Sequence, residues 1–344
     1  MNYYVFFLGL FILLFTITDL INTSLSVSGT GFLSRRLSTG IWKLLLVIHR
    51  RWRAKRILGM GGVIILMSIL INWLLLIWLS ASLLFISQAE SLMNVETNTA
   101  TTIVSKIFYA GYTLSTLGLG DIEPVGPFWE LLTATLSFTG LISISIAITY
   151  LIPVVSAEIV KRRISVYITT LGSSVEEILL NFWNGKDFKE LELPFGNLTN
   201  LIILHAQNHK AYSVLHYFHA KDRKEAFVLN ITNLDEVLTI LLTRIPVHHR
   251  PGFNNIMGLR KAISSYLITL PAVFITPAKE VPPVLPLKKL EDCGIEIIWD
   301  QKAEATVVHL SARRRLLLSL IKDDGWEWDD LQAGGYDHEM SMIK

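Results

Sequence analysis

Thr113–Pro124 reads TLSTLGLGDIEP. Two glycines one residue apart, Gly118 and Gly120, stand between a hydroxyl residue, Thr116, and a carboxylate, Asp121. Glycine reaches positive φ without a Cβ clash, so alternating ordinary and permissive residues aims successive carbonyls in one direction. In a soluble protein a G-x-G beside an aspartate is a common turn and says little about function. The surroundings decide between the two readings.

Composition favours a membrane setting. Of 344 residues, 51% are hydrophobic and 17% charged, where soluble domains carry roughly 25% charged residues. Three apolar segments reach the length of about 20 residues that a bilayer crossing requires. They are Tyr3–Ile21, Gly61–Ile86 and Phe128–Val155, the last interrupted only by Glu130 near its start. The first lacks the basic start and small-residue cleavage site of a signal peptide, so it reads as a retained helix. Asp19 lies near its end, within reach of the interface. A single cysteine, Cys293, excludes an internal disulfide framework and a cysteine-rich metal or iron–sulfur centre. A net charge of +2 gives no reason to expect nucleic acid.

Charge placement orients these segments. SRRLSTGIWKLLLVIHRRWRAKR (34–56) is strongly basic, and no acid occurs between Asn22 and Gly61. The positive-inside rule puts this linker in the cytoplasm. QAESLMNVETNTATT (88–102) holds Glu90 and Glu96 with no Lys or Arg, and faces outside. Lys161, Arg162 and Arg163 bring the chain back inside. The N-terminus is therefore expected outside and the C-terminus in the cytoplasm. Arg50, Arg53 and Arg56 recur every third residue, as in a voltage sensor, but outside any spanning segment, where the field does not fall. Beside the apolar patch of Trp42 and Leu44–Ile48 they read as an anchor on the inner surface, drawn to anionic lipid.

Ile103–Ser115 is apolar yet too short to span, and it sits between two spanning helices. That is the pattern of a re-entrant loop, whose irregular backbone is tolerated only where it is buried or lines a water-filled path. Rings of carbonyls from several chains replace the hydration shell of a cation. The stretch resembles the potassium-channel signature T-x-G-[YF]-G-D, in the leucine-containing version of second pore loops of two-pore-domain channels. The resemblance covers about Gly61–Glu158. It includes Pro124 after the motif and Gly140, twenty residues beyond Gly120, where the family's hinge glycine falls.

The resemblance implies an ion-binding filter of Thr116, Leu117, Gly118, Leu119 and Gly120, with Asp121, Phe108 and Tyr109 supporting it. K+ is the permeant ion, and no other cofactor is implied. Leu119 replaces the usual tyrosine and Leu117 the common valine or isoleucine. The carbonyl chemistry survives these changes, whereas the stiffness given by a tyrosine is lost. One chain supplies one loop where four are needed, so a homotetramer is expected. Hydroxyls at Thr135, Ser137, Thr139, Ser143, Ser145 and Thr149 either line the pore or bond back to their own helix. Gly140 and Pro153 are candidate gating hinges.

The domain plan is then an extra helix over 1–22, a basic linker over 23–60, a pore domain over 61–160 and a cytoplasmic domain over 161–344. In the last, apolar runs at Leu201–Leu204, Ala226–Ile231, Ala272–Ile275, Ile295–Trp299 and Thr306–Leu310 read as buried strands. Helix-length stretches such as Asn233–Leu242 and Ile256–Ile268 fall between some of them. The expected fold class is thus an α-helical membrane pore domain, three transmembrane helices plus a re-entrant pore helix, followed by a cytoplasmic α/β domain with an acidic tail. Such a domain suits regulation by a cytoplasmic ligand, but no Gly-rich turn follows its first strand, and Asp300 alone is a weak ribose-binding signal. His205, His209, His216 and His219 have helical zinc-ligand spacings, and equally suit buried or exposed histidines without a ligand, or proton sensing. No nucleophile elbow, P-loop or HExxH occurs, so no enzyme is expected. The reading is a potassium channel of a prokaryotic inner membrane gated from its cytoplasmic domain. The alternatives are a weakly selective cation channel with the same pore, or a non-conducting membrane-anchored sensor.

Overall fold

A computed structural model describes residues 1–26, 30–52, 55–270, 275–299 and 310–332. The chain divides into two compact units, one of 1–44, 63–155 and 211–214, the other of 45–62, 156–210 and 215–344. In chain order the first elements are α1 (Tyr3–Ser24), α2 (Phe32–Trp52), α3 (Lys55–Leu58) and α4 (Gly61–Ile86). The strands β1 (Leu92–Asn94) and β2 (Thr99–Ala100) follow, then α5 (Ile103–Leu114), β3 (Ile122–Pro124) and α6 (Pro127–Leu171). Three helices, α1, α4 and α6, are long and apolar enough to cross a membrane.

The elbow between α1 and α2 is organised by Asp19. Its carboxylate is buried rather than exposed at an interface, and it accepts from the Leu33 N–H at 2.8 Å, Ser34 Oγ at 2.5 Å and Trp73 Nε1 at 3.0 Å. It also accepts from the Ser34 N–H, so two N–H groups of the first turn of α2, which have no helical partner, are capped. A Cβ on Gly31 would lie 2.1 Å from Asp19 Oδ1, so the chain can approach the carboxylate only with glycine there. The stretch around Trp42 is helical as expected. The Arg50, Arg53 and Arg56 side chains lie outside the described residues.

Helix α5 opens with Thr102 as its cap, Oγ1 accepting from the Ser105 N–H at 3.2 Å. Proline at the first position of α6 suits a helix start, since its missing N–H would have no partner. α6 is one continuous helix of 45 residues through Gly140 and Pro153, extending well past the apolar run that ends at Val155. The strands form a small antiparallel sheet in the order β2-β1-β3, pairing Met93 with Glu123 and with Ala100. Sequence patterning gave no sign of these short strands.

The second unit corrects the expected α/β fold. After α7 (Val175–Asn181) come α8 (Glu192–Ala211), α9 (Phe227–Thr243), α10 (Phe253–Leu267), α11 (Lys288–Asp292) and α12 (Ser311–Asp323). Among the described residues it contains no strand. Leu201–Leu204 lies inside α8, and Ala226–Ile231 begins α9, which is buried on every side along almost its whole length. A helix buried all round loses its amphipathic period and reads like a buried strand. Ile295–Trp299 belongs to no helix or strand: the Ile298 N–H donates to the Arg244 carbonyl at the end of α9, at 2.7 Å. Asn233–Leu242 and Ile256–Leu267 are helical as expected. Residues 272–274, 306–309 and Asp300 lie outside the described residues, as does the tail from 333.

α9 carries Asp235 and Glu236 into the core of this unit. Asp235 takes a bidentate contact from Arg313, with its shortest distance 2.6 Å, and faces Arg260 at 3.2 Å. Glu236 pairs with Arg314 at 2.8 Å, and Arg314 also donates to the Pro282 and Pro283 carbonyls. The proline-rich connection is thereby tied to the central helix. Burial pushes the Glu236 carboxyl up, and Arg314 opposes that shift.

Candidate functional site: the re-entrant loop

Thr116, Gly118 and Gly120 all have positive φ, at 59°, 56° and 78°, while Leu117 and Leu119 do not. The alternation sought in the sequence is therefore present in the backbone, and it begins two residues before the first of the glycines. A β-branched residue such as Thr116 is rarely found there. A Cβ on Gly118 or Gly120 would meet nothing within 4 Å, so within one chain the demand for glycine is conformational. Among the described residues, the carbonyl oxygens of Thr116, Leu117, Gly118, Leu119 and Gly120 accept no hydrogen bond. These five successive acceptors are exposed in the single chain and free to take a polar partner.

The loop is held at both ends. On the α5 side the Leu117 N–H donates to the Tyr112 carbonyl at 2.9 Å and the Thr116 N–H to the Thr113 carbonyl at 3.1 Å. On the other side the Val95 N–H donates to the Asp121 carbonyl at 3.0 Å, joining the loop to the three-stranded sheet. Asp121 thus secures the loop through its backbone. Among the described residues its carboxylate has no hydrogen-bond partner.

Of the two aromatic positions, Tyr109 is buried and its hydroxyl lies 3.1 Å from Thr133 Oγ1 on α6, whereas Phe108 is half exposed and stands edge-on to Tyr112. Sequence reasoning missed Tyr112. It is buried, and its hydroxyl donates to the Ile122 carbonyl just beyond the loop, at 3.3 Å. Its place three residues after Tyr109, on the same face of a short helix, was the available signal. Lys106 was also missed: its buried ammonium donates to the Phe85, Gln88 and Ala89 carbonyls at and just beyond the end of α4.

Gly140 serves close packing. A Cβ there would lie 2.1 Å from the Leu114 carbonyl oxygen, so α6 touches the last turn of α5 directly. Thr135, Thr139, Ser145 and Thr149 each donate to the carbonyl four residues earlier. For these four the hydroxyl is used within the helix.

The histidines lie in the second unit. His205 and His209 are buried in α8, and burial lowers both imidazoles, His205 to about 3 and His209 well below its ordinary range. His209 Nδ1 is 3.0 Å from Thr269 Oγ1, His216 Nε2 is 3.0 Å from Asp323 and His219 Nδ1 is 3.3 Å from Asp324. Among the described residues these four do not form a group with converging ligand atoms.

Residues 59–157 match the ion channel family. Over 321 residues the chain is 32% identical to the uncharacterized membrane protein YdjJ of Bacillus subtilis (strain 168), covering 93% of this chain and 94% of that protein. No solved structure matches the chain. The matched span encloses α4, the sheet, α5, the loop and the first part of α6. The chain is a membrane protein of the YdjJ family, and its central region is an ion channel domain.

Proposed function

We propose that four copies of this chain form a potassium-preferring channel, with residues 116–120 as its selectivity filter. The observation that carries this reading is the run of five unpaired carbonyls on a backbone of alternating φ sign. Carbonyls aimed inward from four chains replace the water around a dehydrated K+. The C-terminal end of α5 directs its partial negative charge toward the inner end of that path, which also favours a cation. Leu117 and Leu119 are exposed in the single chain, at 62% and 51%, and closure of a ring gives them neighbours. The second unit, entered through the continuous α6, is the gating domain. The N-terminus lies outside and the basic linker rests on anionic lipid of a prokaryotic inner membrane. In a planar bilayer with K+ on one side and Na+ on the other, the reversal potential is expected near the K+ limit. A reversal potential near zero defeats the selectivity.

A second reading keeps the pore and drops the selectivity. It is favoured by Leu119, whose half-exposed side chain has no hydroxyl with which to brace the loop against Tyr109 or Tyr112. The same measurement separates the two.

A further inference from the structure

Outside the pore region, one group of side chains converges without any role so far. His248 and His249 sit on the turn Val247–His249 that follows α9, and Glu296 follows the buried Ile295. One ligand atom from each lies within 4.8 Å of the others, and His249 Nε2 stands 3.7 Å from a Glu296 oxygen. The two imidazole centroids are 3.9 Å apart.

The surroundings fix this geometry. His249 Nδ1 contacts the Lys186 carbonyl, which can only accept, so Nδ1 carries the proton and Nε2 is the free lone pair in the neutral ring. The Phe188 N–H donates to the His249 carbonyl at 2.8 Å, and Trp183 packs edge-on against its ring at 5.3 Å. The segment bearing Glu296 is tied by the Ile295 N–H to the Leu290 carbonyl at 3.0 Å and by the Ile298 N–H to the Arg244 carbonyl at 2.7 Å. The carboxylate of Glu296 and the second ring nitrogen of His249 therefore face each other at 3.7 Å. A histidine held by a backbone carbonyl at one nitrogen and open at the other is the usual outer support of a metal ligand.

We propose that His248, His249 and Glu296 bind one divalent transition-metal ion of the zinc class, with water completing the shell on the exposed side. Two imidazoles and one carboxylate suit Zn2+, Co2+ or Ni2+, whereas Ca2+ and Mg2+ take oxygen ligands. Metal–ligand bonds of about 2.0–2.2 Å in a tetrahedron place ligand atoms roughly 3.3–3.6 Å apart. The His249–Glu296 separation already approaches that spacing, and rotation of the exposed His248 ring brings in the third. This proposal rests on these residues and is independent of the channel reading.

The test uses the purified full-length chain in detergent, without an affinity tag, titrated with Zn2+ and separately with Co2+, with Mg2+ as a control. One site per chain is expected, with the visible bands of a low-coordinate nitrogen–oxygen Co2+ complex and no response to Mg2+. His249→Ala and Glu296→Gln are each expected to weaken Zn2+ binding at least tenfold, and Glu296→Gln, whose exposed side chain is not packed in the core, to do so with the metal-free melting temperature unchanged. X-ray absorption at the zinc edge should show two imidazoles in the wild-type chain and fewer in His249→Ala. Absence of stoichiometric binding overturns the site. So does binding that both variants retain at wild-type strength, since it would then belong to other histidines.

Discussion

Two stretches of the chain treat their polar groups in opposite ways. The loop over residues 116–120 leaves five carbonyls without a donor and its leucines exposed. Helix α9 buries two carboxylates and supplies each with a guanidinium, and the amides of Asn230 and Asn233 donate to the Lys224 and Ser173 carbonyls at 2.9 and 3.2 Å. An unmet buried polar group costs on the order of 1–3 kcal/mol, so the buried carboxylates of α9 need their guanidiniums, whereas the exposed carbonyls of 116–120 stay open in the single chain. The closed cluster holds a structure together. The open one is the ion site we propose.

Substitutions that disturb each region should then fail in different ways. Gly118→Ala puts a Cβ on a residue with φ of 56°, at about 1–2 kcal/mol per chain, repeated around the ring. Ion flux is expected to fall at least about a hundredfold with assembly size unchanged on gel filtration; wild-type flux would remove the filter assignment. Asp235→Asn should behave in reverse. It strands Arg260 and Arg313 and is expected to cost about 3 kcal/mol of stability in the second unit. The melting temperature should drop while the K+-to-Na+ permeability ratio of the surviving protein holds.

A pH scan tests the closed region further. His205 is fully buried with its imidazole near 3, far below the ordinary 6.5 or so, first by burial and then by Lys161. The unfolded chain therefore binds a proton that the folded one refuses. Stability contributed by keeping it neutral is present above about pH 6.5 and lost as pH falls toward 3. His205→Leu should flatten the melting-temperature profile across that window, and an unaltered slope would assign it to other groups.

Smaller effects probe the supports of the open loop. Gly140→Ala forces α6 off the Leu114 carbonyl, an overpacking cost of about 1–3 kcal/mol. Flux should fall along with the melting temperature; unchanged values in both would show that the contact yields freely. Tyr112→Phe removes one hydrogen bond to the Ile122 carbonyl, worth about 1 kcal/mol. A modest rise in Na+ permeability at near-normal K+ flux is expected, and identical permeability ratios would show that the backbone bonds at its two ends hold the loop without the Tyr112 hydroxyl.

How much could be read from the chain differed between the same two regions. Gly118 and Gly120 advertise their φ because only glycine adopts it cheaply, and long apolar runs advertise membrane helices. Thr116 gives no such notice, since nothing in a threonine signals φ of 59°. The sheet beside the loop escaped because strands of two and three residues have no period to detect. α9 was misread in part because burial on all sides erased the helical period at its start. Asp19 was placed on the correct helix, but its three donors come from residues 14 to 54 positions away, which no local pattern carries.

The most direct test of the open loop is ion flux through the purified protein in liposomes, driven first by a K+ gradient and then by a Na+ gradient. Barium-blocked K+ flux with little Na+ flux is the predicted result. Equal fluxes of the two ions would contradict potassium selectivity. No K+ flux, with and without added Zn2+, would contradict conduction through residues 116–120.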